Sequence, residues 1–136
     1  RASFCTPGVS IGLFCSTPMV ALSRNVSSKH AMEMLLTGDV ITAEHAARIG
    51  LVNAVVPQNE LTAHVSALAA RIAAKSQAAI TYGKRAFLDQ SHLPLEEAYA
   101  LTAGIMTRNM MDGAACEGLD AFISKRQPKW PEPSTP

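Results

Sequence analysis

Hydrophobic positions along this chain recur mainly at helical spacing. Leu61, Val65, Leu68 and Ile72 follow one another at intervals of four, three and four, which predicts an amphipathic helix. Three more helices are expected after it. Ser76 can cap one bearing Ala79, Tyr82, Ala86 and Phe87. Pro94 starts a long one with Ala98, Leu101, Ile105 and Met106 on or near one face, and Asp112 can cap the last, which carries Leu119, Phe122 and Ile123. Upstream, Ser16 or Thr17 with Pro18 at the first helical position opens a helix carrying Met19, Val20, Leu22 and Val26. Ser27-Ser28 opens the next, and Gly38 stops it because glycine readily takes the left-handed cap conformation. Thr42 then caps a short helix with small residues at Ala43, Ala46 and Ala47, ended by Gly50. Strand formers gather only at Ala2 to Cys5, Val40-Ile41 and Leu51 to Val56, the last run closed by Pro57.

So few strands cannot make a doubly wound sheet. The helices form either a small bundle or one portion of a larger α/β structure, and the lack of a flanking sheet favours the second arrangement. The chain has 136 residues and begins Arg1-Ala2-Ser3-Phe4 without a methionine, which reads as a processed or partial sequence. Residues 1–56 are expected to be the remnant of a larger core, 57–126 a helical region, and 127–136, with four prolines, a loose tail.

A composition of 48% apolar and 17% charged residues is that of a folded domain. A net charge of +1 gives no electrostatic reason to expect nucleic acid or an acidic membrane as partner. No apolar run reaches a membrane-spanning length, and no targeting segment is read at the start. Cys5, Cys15 and Cys116 are odd in number and lack CxxC spacing, so they read as reduced thiols.

Three blocks carry a family resemblance. Phe4-Cys5-Thr6-Pro7-Gly8-Val9-Ser10-Ile11-Gly12 resembles the segment F-x-x-P-E-x-x-x-G of the enoyl-CoA hydratase/isomerase (crotonase) family. Thr37-Gly38-Asp39 and Ala43 to Val52 are similar to the family's TGD and A-x-x-A-x-x-x-G-L-V blocks. Glu117 to Arg126 is similar to its E-G-x-x-A-F-x-x-K-R terminus. Each block alone is weak evidence, whereas three in the right order and spacing are strong. The resemblance covers essentially the whole chain. It implies the C-terminal portion of a crotonase (ClpP/crotonase-like) α/β fold, mostly helical with two or three short strands, whose helical region forms trimers or dimers of trimers. It also implies mitochondrial location, a role in fatty-acid metabolism and no cofactor, with coenzyme A thioester as substrate or ligand.

In hydratases of this family two backbone N–H groups hold the thioester oxygen and two glutamates manage a water and the α-proton. One such oxyanion donor is worth roughly 3–4 kcal/mol. The resemblance places the oxyanion segments and the first glutamate before Arg1. It puts Gly8, which has no side chain to transfer a proton, at the second glutamate's position, and Cys15-Ser16-Thr17-Pro18 where hydratases have a glycine-rich turn. Loss of a positioned acid or base costs about 10²- to 10⁴-fold in rate, so no catalytic residue is assigned and this chain alone is expected to be inactive. For acyl-CoA binding the resemblance points to Met106 near the acyl chain, and to Phe122 and Lys125 as residues of a neighbouring subunit reaching over the nucleotide. An aromatic face suits adenine and an ammonium suits phosphates. The plainer alternatives are that Phe122 and Met106 are core residues and Lys125 a solvated helix-end charge.

Gly8-Val9-Ser10-Ile11-Gly12 also matches G-x-S-x-G, the nucleophile elbow of α/β hydrolases, with Asp39 and His64 or His92 completing a triad order. An elbow needs a strand running into it and a helix straight after, and Pro7 and Cys15 to Pro18 oppose both. His30, His45, His64 and His92 lack metal-ligand spacing. Glu96-Glu97 suits the first turn of a helix, and Lys84-Arg85 reads as a solvated face. Two other functions stay open beside acyl-CoA chemistry: a non-catalytic relative that serves oligomerisation or acyl-CoA sensing, and a free-standing helical interaction module.

Overall fold

The computed structural model describes residues 2–131. Two compact units divide between His64 and Val65. In the first, β1 (Ser3–Phe4) pairs antiparallel with β2 (Ile41–Thr42), setting Ser3 opposite Thr42 and Phe4 opposite Ile41. A 3-10 turn, Pro7–Ile11, follows β1 and leads to α1 (Ser16–Asn25) and α2 (Ser28–Thr37). The helix α3 (Ala43–Arg48) starts directly from β2.

Leu22, Val26, Ala31, Met34 and Leu35 form the buried core of this unit, with Phe4, Met19, Ile41, Ile49 and Leu51 packed against it. Leu22 comes from α1 and Ala31, Met34 and Leu35 from α2, so one helix pair supplies most of the apolar contact. Thr6 is buried beside them, and its hydroxyl donates to the Met34 carbonyl at 2.7 Å. Gly38 ends α2 in the left-handed conformation at φ 69° and donates its N–H to the same carbonyl at 3.0 Å. Thr42 caps α3 by accepting the His45 N–H at 3.2 Å.

Two expectations change here. Leu51 to Val56 is not a strand. Gly50 turns at φ 82°, and the N–H groups of Leu51 and Val52 both fold back to the Ala46 carbonyl. Strand propensity is realised only against a partner strand, and here the backbone bonds to a helix instead. The first helix also starts earlier than expected, with Cys15 as its N-cap residue and Pro18 at its third position. The missing N–H of Pro18 costs nothing there, because the first-turn donors have no intrahelical acceptor.

Leu61–Ala73 forms α4, and α5 (Gln77–Gln90), α6 (Leu95–Met110) and α7 (Gly113–Ile123) belong to the second unit. Ser76 caps α5 by accepting from Ala79 N–H, and Asp112 caps α7 by accepting from Ala114 N–H. Glu96 and Glu97 lie in the first turn of α6, where they favour the helix dipole. Helices α5 and α6 pack together, and both touch α7. Small residues permit the close approach of α7: Ala114 and Ala121 are its buried positions. The apolar stripe of α4 has no such cover, since Leu61, Val65, Leu68 and Ile72 are all 41–54% exposed. Of the expected tail, Gln127 to Pro131 are described, and Pro133 and Pro136 fall outside the described residues.

Candidate functional site

Gly8 sits inside the 3-10 turn with its backbone fully engaged. Its carbonyl accepts the Leu13 N–H at 2.9 Å, and its own N–H donates to the Cys15 thiol at 3.3 Å. A Cβ placed on Gly8 would lie 2.6 Å from the Leu13 carbonyl oxygen and 2.8 Å from Cys15 Sγ. No side chain fits there without moving the backbone at Leu13, so position 8 is closed sterically as well as chemically. Gly38 seats the same turn from the other side. A Cβ there would meet Val9, Pro7 and Ser10 at 3.2–3.4 Å, and its positive φ would strain any other residue. The TGD block therefore stops α2 and leaves room for the turn that carries Gly8.

The hydrolase elbow is absent. The strand before it ends at Phe4, Ser10 lies in a 3-10 turn, and the next helix starts only at Ser16. The histidines lack metal-ligand spacing, yet the fold sets His30 and His45 edge-on with ring centroids 6.4 Å apart. They share a hollow of about 130 Å³ with Glu33 and Asp39. They stand fifteen positions apart, on α2 and α3, with the turn after Gly38 and the strand β2 between them. Among the described residues no three His, Cys, Asp or Glu side chains converge to hold a metal.

In the second unit a hollow of about 560 Å³ opens between α5 and α6, with Leu101 and Ile105 on its apolar side. Arg85, Arg108, Asp89 and Asp112 line it with balanced charge. Arg85 stands 3.9 Å from Asp89 and is 84% exposed, a solvated pair of little energetic weight. Met106 lies on α6 and is exposed, as a side chain free to meet a ligand or another protein surface would be.

Phe122 and Lys125 occupy the end of α7. Phe122 is 82% exposed, so this chain does not use it as core. Lys125 is the one non-glycine residue with positive φ among the described residues, at 51°. Its N–H returns to the Phe122 carbonyl at 3.2 Å, and the Arg126 N–H to the Ala121 carbonyl at 2.9 Å. That pair of bonds is a Schellman cap, whose left-handed position is normally filled by glycine. Lysine there costs about 1–2 kcal/mol. Just beyond, Arg126 grips Glu117 through two parallel bonds of 2.6 and 2.9 Å, and Glu117 also accepts the Lys129 N–H. The Arg126 hydrogen bond, followed by that of Lys129, holds the Glu117 carboxyl down to about 2, and the same contact raises the Arg126 guanidinium. The Trp130 indole N–H donates to the Ala74 carbonyl at 2.9 Å.

The chain as a whole is similar to known proteins. The family model for enoyl-CoA hydratase/isomerase matches residues 1–133. The chain belongs to the enoyl-CoA hydratase/isomerase family. Rat enoyl-CoA hydratase domain-containing protein 3, mitochondrial, is 45% identical over 130 residues, covering 96% of this chain and 43% of that protein. Among solved structures, an enoyl-CoA hydratase of Mycobacterium smegmatis superposes with a TM-score of 0.93 at 47% identity, over 96% of this chain and 51% of that one. Human enoyl-CoA hydratase domain-containing protein 3 superposes with a TM-score of 0.90 at 45% identity, over 95% and 51%. The fold is that of the crotonase family, and the chain spans about half the length of the relatives it matches. No described helix is long and apolar enough to cross a membrane.

Proposed function

We propose that this chain is the C-terminal, acyl-CoA-binding portion of an enoyl-CoA hydratase/isomerase-family protein of fatty-acid metabolism, and that it does not hydrate enoyl-CoA by the two-glutamate route. One observation carries the second half. The position that resemblance gives to the second glutamate is Gly8, and a side chain there would collide with the Leu13 carbonyl. A thioester can still be bound where its α-proton is not exchanged, because nucleotide recognition and proton transfer use different residues. Binding is assigned to Phe122 and Lys125 over the nucleotide and Met106 beside the acyl chain. The exposure of Phe122 and the left-handed backbone of Lys125 support that assignment, since both are unfavourable for folding alone. The name of the rat relative supports mitochondrial location.

Assembly belongs to the same reading. The uncovered stripe on α4 supports association of copies, with a trimer or dimer of trimers as the family's form. Calorimetric titration with coenzyme A, alongside the loss of crotonyl-CoA absorbance, tests the reading. Binding without hydration is the expected result. Hydration above the uncatalysed rate would overturn it, as would absence of coenzyme A binding.

A further inference from the structure

The segment after α7 is fastened at three points, all close in sequence to the proposed nucleotide-binding pair. Glu117 lies on α7, one turn and a half before Phe122. Its two carboxylate oxygens take the two terminal nitrogens of Arg126, at 2.6 and 2.9 Å. One of those oxygens also accepts the Lys129 N–H. Further on, Trp130 donates its indole N–H to the Ala74 carbonyl at 2.9 Å, just past the end of α4, where no intrahelical donor remains. The Trp130 ring lies against Gly118, at van der Waals distance from the place a Cβ would occupy. Between these anchors stands the only left-handed non-glycine residue among the described residues, Lys125.

Ordinary helix termination does not need this arrangement. A glycine at position 125 would close the same Schellman cap without strain, and the Ala121 and Phe122 carbonyls would still be satisfied. A strained lysine persists only where its surroundings over-determine it. We infer that Glu117, Arg126 and Trp130 are positioning residues that fix the turn at Ser124 to Arg126, and so hold Phe122 and Lys125 in the relative placement that meets the adenosine phosphate end of coenzyme A. The inference rests on the nucleotide-binding assignment made above. Bidentate pairing suits the task, because two parallel bonds fix direction as well as distance. Trp130 adds a second constraint from a point 56 residues away in sequence.

Affinity measured separately for the two halves of coenzyme A tests the clamp in the full chain. Adenosine 3′,5′-bisphosphate probes the nucleotide end and phosphopantetheine the remainder. Glu117→Gln and Arg126→Lys are expected to weaken bisphosphate binding by about tenfold, the size of one lost charge-assisted hydrogen bond, with phosphopantetheine affinity unchanged. Trp130→Phe keeps the ring on Gly118 but loses the bond to Ala74, and a smaller loss in the same direction is expected. Lys125→Gly should raise the melting temperature while weakening the bisphosphate, a split that a purely structural lysine would not give. Unchanged bisphosphate affinity in Glu117→Gln and Trp130→Phe would overturn the clamp while leaving the nucleotide assignment intact. Equal loss for both probes would overturn it too, as general damage to the fold. Failure of the unsubstituted chain to bind the bisphosphate would instead remove the assignment beneath it.

Discussion

The N–H of Gly8 donates to the thiol of Cys15 at 3.3 Å, and that sulfur fills space which any side chain at position 8 would need. The two residues are therefore one steric unit. Together with the Leu13 carbonyl, Cys15 keeps position 8 a glycine even if proton transfer were of no consequence.

Gly8→Glu is accordingly expected to give no hydratase activity and to destabilise the first unit. Overpacking of this kind costs about 1–3 kcal/mol. Removing the thiol as well, in Gly8→Glu with Cys15→Gly, should recover only part of that loss, because the collision with the Leu13 carbonyl oxygen at 2.6 Å is with backbone. Thermal denaturation of the single and double variants checks this. A Gly8→Ala chain that melts like the original would overturn the steric closure of this turn.

Thr6→Val tests how the turn is held to the core. The hydroxyl of Thr6 donates to the Met34 carbonyl at 2.7 Å in a buried setting. That carbonyl also receives the Gly38 N–H at 3.0 Å, so it keeps one partner when the hydroxyl is lost. The expected cost is about 1 kcal/mol, towards the lower end for a buried bond. Denaturant unfolding should show a lower midpoint with an unchanged slope. A loss several times larger would mean that Thr6 does more than donate this bond.

Much of this architecture was legible because the signals are local. The caps at Thr42, Ser76 and Asp112 each act within three residues, and the left-handed Gly38 ends its own helix. The stripe of α4 is periodic within a single element. Relationships across the chain were not legible. Leu51 to Val56 has strand composition, but whether it becomes a strand depends on a partner that its own residues cannot reveal. The bond from Trp130 to Ala74 spans 56 residues, and the approach of His30 to His45 depends on how two helices pack. At the candidate site, the lack of a side chain at Gly8 was legible directly. The crowding that forbids one there depends on how Leu13 and Cys15 fold back against it.

The pH dependence of stability isolates the Glu117 clamp. Arg126 foremost, and then the Lys129 N–H, hold the folded carboxyl at about 2 against an ordinary 4.5. A carboxyl whose folded value is depressed contributes stability above its unfolded value and loses that contribution as pH falls towards the folded one. The melting temperatures of the original chain and of Glu117→Gln should therefore differ most above pH 4.5 and converge as pH falls towards 2. Melting curves of the pair across that range decide it. A gap independent of pH would place the effect of the substitution in packing and not in the charge.

The last prediction concerns the uncovered face of α4. Leu61, Val65, Leu68 and Ile72 remain 53%, 54%, 41% and 50% exposed, a continuous stripe on one helix. Full burial of one such side chain is worth about 1.5–3 kcal/mol, so several left in water favour any arrangement that covers them. The chain is expected to self-associate in solution through this stripe. Placing like charges within it, with Val65→Glu and Leu68→Glu, should shift the association towards monomer, because burial of unpaired charges opposes contact. The charged variant should also bind less of a dye that reports apolar surface. Sedimentation velocity over a range of concentrations gives the mass, and the proposed assembly predicts three copies or a multiple of three. If the original chain sediments as a compact monomer, unfolds cooperatively and binds no dye, the stripe is not an interface.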